Sequence, residues 1–518
     1  MAIQNEETRS GGSEQGSPVL GRVIRFFSPD QHSAYLVGGY LRDLLLSRAR
    51  SLEPSHDLDI AVTGGVESIA RGLAEALGAS TVPLSPSRGI FRVVVPIAGA
   101  AVAGDTIEDK PEDKPWTIDL TSISGGIEDD VARRDFSVDA MALSIQDLGQ
   151  EDWQERIIDP FNGRQDLVNK RIRAVSPTIF QDDPGRLLRS IRLASQLGFA
   201  LDPETANLVR TESHRVNSVS AERVRDEFLA ILSMSNAKGY LTILDRLGLL
   251  CRVIPELEAT KGVEQPVVHY WDVWGHTLHC VETAELVTAG HQNSPIFMSV
   301  PWTPESAAYF KKEAGDGHSR RTILKLAALF HDIAKPQTKA TGENGRTRFL
   351  GHSELGATMA SGRLTQLRLS SRTIAMVGKM VEHHLRPGNM NHGLELPTYR
   401  AIHRYFRDVD DVAVDTLYLA LADHLAAKGP DLSMEQWSAH ARMIWHILES
   451  GSKQPGSTGP KRLITGHDLI EHLGLDPGPL VGQILETVVE AQALGEIHNR
   501  REALTLAEQI LPGLRARE

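Results

Sequence analysis

The chain is short of cysteine and of long apolar runs, and these shortages exclude whole classes of protein. Two cysteines, Cys251 and Cys280, in 518 residues can build neither a disulfide framework nor a cysteine zinc cluster, and they point to a reducing compartment. No run approaches the roughly 20 apolar residues of a membrane-spanning helix. The first 18 residues are polar, Gly/Ser-rich and partly acidic, unlike a secretory signal. A soluble, cytoplasmic protein with no membrane partner is expected. Excess positive charge is also missing: a net charge of −12 argues against non-specific coating of nucleic acid. A locally basic groove is still allowed, because Lys170–Arg192 carries six Lys/Arg against two Asp. What is present is core-forming material. Hydrophobic residues make up 41% and charged residues 24%, which excludes a wholly disordered chain, and at about 150 residues per domain the length implies three to four domains.

Residues 1–18 read as a solvated tail. From 19 to 175 short β-rich runs alternate with turn signals and helical patterns. Strands are predicted at Ala34–Val37, Leu58–Thr63, Phe91–Ile97, Trp116–Thr121 and Ala140–Ile145, with a helix over Val66–Leu77. This pattern predicts an α+β head with a small mixed sheet. Residues 99–115, Gly/Ala-rich and then acidic and Pro-containing, read as a surface loop. Strand signals fade after 175, and Gly185–Leu197, Ala221–Leu232 and Gly239–Leu247 have helical period. All-α domains are therefore expected at 176–262 and 263–450, the second rich in histidine. A Gly/Ser/Pro linker is expected at 451–460 and a small helical module at 461–518.

The strongest chemical signal is Gly38-Gly39 followed by Arg42-Asp43, then Asp57-Leu58-Asp59 opening an apolar run. Strand residues two apart project to one side, so Asp57 and Asp59 form a carboxylate pair suited to one or two Mg²⁺ ions. Such ions would activate a hydroxyl nucleophile and stabilise a pyrophosphate leaving group. The glycine turn lets backbone N–H groups approach a triphosphate, with Arg42 expected on the first turn of the next helix.

LVGGYLRDLLL (36–46) with HDLDIAV (56–62) resembles the signature of polymerase-beta-type nucleotidyltransferases. RRDFSVDAMAL (133–143), DPFNGRQDLVNKRIRAV (159–175), DDPGRLLRSIRLASQLGF (182–199) and AERVRDEFLAIL (221–232) follow in order. Together they resemble the class II tRNA nucleotidyltransferase and bacterial poly(A) polymerase family over roughly residues 20–250. The resemblance implies metal ligation by Asp57 and Asp59 and a triphosphate site at Gly38, Gly39, Arg42 and Asp43. It implies phosphate and ribose contacts from Arg133, Arg134 and Asp135, and selection of C or A by Asp183 and Arg186. A carboxylate can accept from the base's amino group while a guanidinium donates to a ring acceptor. Three apart on a helix, Asp183 and Arg186 are expected to share a face, continued by Arg189 and Arg192, with Leu187, Leu188 and Ile191 buried. Asp139 stands where the family has Asn, and Asp182 where it has Glu. Asp119 is a candidate third metal carboxylate.

LAALFHDIAKP (326–336) sets His331 and Asp332 at the end of an apolar helix. With His276 upstream and Asp423 downstream, the set resembles the HD metal-dependent phosphohydrolases, and His352 and the pair His383-His384 add ligand-type side chains. The resemblance implies a second divalent metal and a phosphohydrolase activity toward phosphomonoesters or 2′,3′-cyclic phosphates. Such a body also suits RNA binding or a homodimer scaffold. The segment 464–485 reads as a helix–turn–helix that docks on RNA or on the HD body.

The leading expectation is a template-independent enzyme that adds CCA to the tRNA 3′ end from CTP and ATP. Three alternatives share parts of the pattern: an A-adding enzyme or poly(A) polymerase, an HD phosphohydrolase whose head only senses nucleotide, and a non-catalytic RNA scaffold.

Overall fold

A short apolar run, a glycine pair and a helical pattern follow one another from Ala34, and in the computed structural model they fold as β1 and a helix that starts on the first glycine. The structure describes residues 18–28, 33–50, 56–96, 115–266, 268–290, 293–342, 345–390, 396–452, 462–493 and 495–515. The expected tail, apart from Pro18, the loop at 99–115, apart from Pro115, and the linker beyond Ser452 lie outside these residues. The chain divides into two units, Met1–Arg215 and Val216–Glu518.

The first unit runs α1 (Pro18–Phe27), β1 (Ala34–Val37), α2 (Gly38–Arg50), β2 (Asp57–Val62), α3 (Val66–Leu77), β3 (Ser80–Ser85), β4 (Ile90–Val95), β5 (Trp116–Ser122), α4 (Ile127–Ala132) and β6 (Ala142–Ser144). The strands form one mixed sheet in the order β3-β4-β5-β2-β1-β6, with β2 and β5 parallel and the other pairs antiparallel. α3 buries Val66, Ile69, Ala70, Leu73, Ala74 and Leu77, the i, i+3, i+4 stripe of an amphipathic helix. Gly78 stops it at φ 65°, a left-handed conformation that glycine adopts without strain. Behind the carboxylate edge, Val37, Ala61, Ile123, Ile127, Val131, Ala140 and Ala142 pack as one cluster. β3 has no counterpart in the sequence expectation. It is an outer strand, largely exposed and interrupted at Pro83 by a register shift, so it lacks the apolar alternation that announces a strand.

The second unit is largely helical. The helices Val273–Val287, Arg320–Phe330, Ser371–His383 and Ala413–Lys428 pack on one another. All residues of Arg320–Phe330 but Arg321 are buried, which marks it as a central helix. The helix Met434–Ser452 runs into the expected linker by two residues. The C-terminal module has three helices, Gly466–Leu473, Pro479–Ala493 and Arg500–Arg515, around a core that includes Leu469, Ile484, Val488, Ala503 and Ala507. It lies against the helix Tyr399–Val409 of the same unit through three ion pairs: Arg404 donates to both oxygens of Glu490 at 3.0 and 3.1 Å, Arg400 to Glu496 at 2.8 Å, and Arg407 reaches Glu486. Docking on the HD body is thus what the arginines accomplish. The fold class expected from the sequence holds, an α+β head followed by helical domains, and no helix among the described residues is long and apolar enough to cross a membrane.

Candidate functional site

Cross-strand register builds the carboxylate site. Asp59 of β2 stands opposite Asp119 of β5, and Asp57 opposite Thr117. Residues directly opposite on paired strands share a sheet face, so three carboxylates gather at the start of the parallel pair. The Thr117 hydroxyl donates to Asp57. On the far side of β5, Arg92 of β4 stands opposite Asp119 and donates from Nε and Nη2 to its two oxygens, each at 2.7 Å. Gly38 closes the near side. It has φ 71°, and a Cβ there would lie 2.6 Å from Asp59 Oδ2 and 3.0 Å from Arg134 Nη1, so both backbone conformation and space require glycine. Asp59, Gly38 and Arg134 therefore meet at one point.

Burial pushes the Asp59 carboxyl up to about 6; Arg134 pulls it down, and the neighbouring carboxylates Asp119 and Asp139 add to the rise. A divalent cation is the natural partner for such a set of hard oxygens. The sign of the pH effects follows. The folded chain holds a proton on Asp59 that the unfolded chain releases between about pH 4 and 6, so the stability this group contributes is lost as pH rises through that window. Binding of a divalent cation by Asp59 would need the ionised form. Incorporation at limiting Mg²⁺ is expected to rise along a limb near pH 6, and higher Mg²⁺, competing with the proton, should move that limb to lower pH. Rate against pH at two Mg²⁺ concentrations checks both.

Two expectations are corrected. α2 begins at Gly38 itself, so Arg42 lies one turn in rather than on the first turn. It is only 12% exposed, and donates from Nε to Asp43 at 2.8 Å and from Nη1 to Asp139 at 2.7 Å. The Asp that replaces the family's Asn is thus a buried counter-ion for Arg42; its own carboxyl is raised by burial and lowered by Arg42. Asp183 and Arg186, secondly, do not share a helix. α5 (Gly163–Val168) is followed by α6 (Ile179–Asp182), and α7 starts only at Arg186 and runs to Leu197. Pro184 forces the residue before it out of helical geometry, and Asp183 has φ −145° and ψ 99°. Its carboxylate instead accepts from Gly185 N–H at 3.0 Å, and Arg186 Nη2 donates to the Arg133 carbonyl at 2.9 Å. Leu187, Leu188 and Ile191 are buried as expected.

The segment 133–139 ties these parts together. Arg189 Nε donates to Asp135 at 2.6 Å, and Arg134 to Asp130 at 3.3 Å. Support comes from α5, inside the 159–175 block, where the sequence reading gave no role to an individual residue. Asp166 is buried and accepts from the Ser137 hydroxyl at 2.6 Å and Arg173 Nε at 2.8 Å. A Cβ on Gly163 would fall 2.1 Å from the Ser137 carbonyl oxygen. Gly163→Ala is therefore expected to cost about 3 kcal/mol, the upper end for overpacking, and to raise the KM for nucleotide by shifting Arg133–Asp135. Thermal unfolding and steady-state kinetics test this.

The second unit holds a denser cluster. His276 Nε2 lies 3.0 Å from Asp423 Oδ1 and 3.3 Å from Asp332 Oδ2; His331 Nε2 lies 3.2 Å from Asp332 Oδ2. The four residues read from the sequence thus meet. Two more were read only as ligand-type side chains: His352 Nε2 is 3.4 Å and His384 Nε2 3.8 Å from the other oxygen, Asp332 Oδ1. The Nδ1 atoms of His331, His352 and His384 are 2.8, 2.6 and 2.7 Å from backbone carbonyls, which places the proton on Nδ1 and turns the Nε2 lone pairs inward. His352 Nε2 is buried without a hydrogen-bond partner, as a ligand atom would be. Imidazole and carboxylate in this number suit a divalent transition metal, and the residues fall into two groups that share Asp332. Lys335 Nζ is 2.6 Å from Asp332 Oδ2. Burial opposes ionisation of Asp332, yet His331 and Lys335 hold its carboxyl well below the usual range.

Known proteins resemble the chain over more than nine-tenths of its length. The poly A polymerase head domain model matches residues 34–173, the probable RNA and SrmB-binding site of polymerase A matches 198–261, the HD domain 273–428, and tRNA nucleotidyltransferase domain 2 matches 459–507. The A-adding tRNA nucleotidyltransferase of Deinococcus radiodurans is 32% identical over 93% of this chain and 96% of its own. The CC-adding enzyme of Thermus thermophilus is 32% identical over 92% and 93%. Among solved structures, the Thermotoga maritima CCA-adding enzyme complexed with tRNA superposes with a TM-score of 0.57 at 19% identity, covering 96% of this chain and 97% of that one, and so shares the fold. The chain belongs to the tRNA nucleotidyltransferase and poly(A) polymerase family of nucleotidyltransferases, with an HD domain after the polymerase head.

Proposed function

We propose that the chain extends the 3′ end of tRNA, building the CCA terminus from CTP and ATP with release of pyrophosphate and without a template. The observation that carries this reading is the row Asp57/Asp59/Asp119 against the Gly38 turn, with Arg134 beside it. Asp57 and Asp59, with Asp119 alongside, would hold Mg²⁺, which when bound supplies positive charge for attack at the α-phosphate. The chain's own groups do the rest. The N–H groups at the start of α2 face a triphosphate, Arg133 and Arg134 add charge there, and Asp135, fixed by Arg189, accepts from the ribose. Asp183, held by Gly185 N–H, and Arg186, held by the Arg133 carbonyl, present an acceptor and a donor to the base edge. Because both are fixed by backbone bonds, one pocket geometry can read C and A through their shared amino-group pattern. The two free cysteines fit the cytoplasm, where tRNA is processed.

A division of labour is the second reading, favoured by the relatives that match over nine-tenths of the chain, which are named A-adding or CC-adding. Purified protein with Mg²⁺ is given tRNA ending at the discriminator base, or already ending in CC, with CTP, ATP or both. Two C and one A on the first substrate support CCA addition. Two C only, or A only on tRNA-CC, support the partial reactions, and long A tails a poly(A) polymerase. No incorporation overturns the proposal.

The HD cluster is proposed as a second divalent-metal centre on His276, His331, Asp332 and Asp423, with His352 and His384 offering a further position across Asp332. Its substrate class would be phosphomonoesters or 2′,3′-cyclic phosphates.

A further inference from the structure

Among the described residues, Arg92 is the cation that the strand register sets directly beside the carboxylate row. The sheet register places Arg92, Asp119 and Asp59 side by side on β4, β5 and β2, and the guanidinium takes both Asp119 oxygens at 2.7 Å. This fork-to-fork pairing fixes the plane of the carboxylate as well as its charge, which a lysine cannot do. Asp119 is left with only its remaining lone pairs to offer a metal. Arg92 is 39% exposed, so it stands at the rim, and it owes nothing to the packing of β4, whose Phe91, Val93 and Val95 supply the buried face.

We propose that Arg92 is a positioning residue of the nucleotidyl-transfer edge: it aligns Asp119 with Asp59 and, by neutralising it, keeps the free protein's affinity for a divalent cation low until a nucleotide brings further negative charge. The inference rests on the reading of Asp57 and Asp59 as metal ligands. Without Arg92, three carboxylates would face the same space with Arg134 and Arg189 left to act on Asp59, and the site would bind a dication before substrate. A unit charge within a few ångströms at a partly solvated site changes such affinity by about tenfold.

Mn²⁺ binding to the full-length protein, followed by electron paramagnetic resonance without nucleotide, tests this directly. The head site is isolated as the difference between the wild type and Asp57→Ala. Arg92→Gln is expected to tighten Mn²⁺ at that site about tenfold, whereas Arg92→Lys, which keeps the charge but loses the fork, should stay within about twofold. In turnover, Arg92→Lys should lower kcat with little change in KM for nucleotide, because Asp119 is no longer held in plane. Unfolding temperatures of both variants should match the wild type. Unchanged or weaker Mn²⁺ binding by Arg92→Gln overturns the inference. If Asp57→Ala itself leaves Mn²⁺ binding untouched, the metal reading of this edge fails instead, so the two failures are distinct.

Discussion

Asp59→Asn is expected to reduce nucleotide incorporation at least a thousandfold while leaving the protein as stable as the wild type or more so. The two effects have opposite signs because one carboxylate carries both. Asp59 lies against Gly38 with Asp119 opposite on β5, and burial raises its carboxyl to about 6. At neutral pH the ionised form therefore costs the fold up to roughly 3 kcal/mol relative to an unperturbed carboxylate. Asn keeps the shape and removes that cost. It also removes the charge of a proposed metal ligand, and several kcal/mol of charge stabilisation lost from a phosphoryl-transfer site is a loss of a thousandfold or more in rate. Gel-resolved incorporation and thermal unfolding on the same preparation test both halves. A variant that loses activity together with several degrees of stability would mean that Asp59 is structural, and the catalytic reading would fall. Asp57 gives a useful contrast. It is exposed and already receives the Thr117 hydroxyl, so Asp57→Asn should lose activity without any gain in stability.

How much of this was visible in the sequence depends on how local each feature is. Val66–Leu77 and Ala34–Val37 were legible to the residue because a single helix or strand period carries them. Asp57 and Asp59 were legible as a pair because they are two apart on one strand. Contacts made across strands or between segments carry no such signal. Arg92 is one charged residue in the run Ile90–Val95, and only the β4–β5 register reveals that it faces Asp119. The Arg42–Asp139 pair joins residues 97 apart, and the support of Asp166 and Gly163 for Ser137 comes from a separate helix. The break at Asp183 did have a local signal, Pro184, but the helical spacing of Asp183 and Arg186 outweighed it in the sequence reading. In the HD region His276, His331, Asp332 and Asp423 could be assembled by resemblance. That His352 and His384 approach the second oxygen of Asp332 is a fact of packing between helices.

Asp332→Ala should have the largest effect on the second unit, because the residue is shared by the two groups of side chains proposed to hold metal. Its Oδ2 is within 3.3 Å of His276 and His331 and 2.6 Å from Lys335, while Oδ1 faces His352 and His384. Truncation leaves the buried Lys335 ammonium and a ring of imidazoles without their shared counter-charge. Breaking one side of a buried ion pair costs about 3–5 kcal/mol, and a drop on the order of 10 °C in the unfolding of this unit is expected. Asp332→Asn keeps volume and an acceptor oxygen but not the charge, so it should unfold closer to the wild type. If the proposed HD centre holds a transition metal, both variants should contain less of it by elemental analysis, because each removes the carboxylate charge shared by the two groups of histidines. Nucleotide incorporation by Asp332→Asn should stay near the wild-type rate, and Asp59→Asn should keep its HD-site metal. That reciprocal independence is what two centres with separate ligand sets require. If Asp332→Asn instead retained its metal while losing incorporation, the cluster would be a structural support for the polymerase reaction rather than a metal centre of its own.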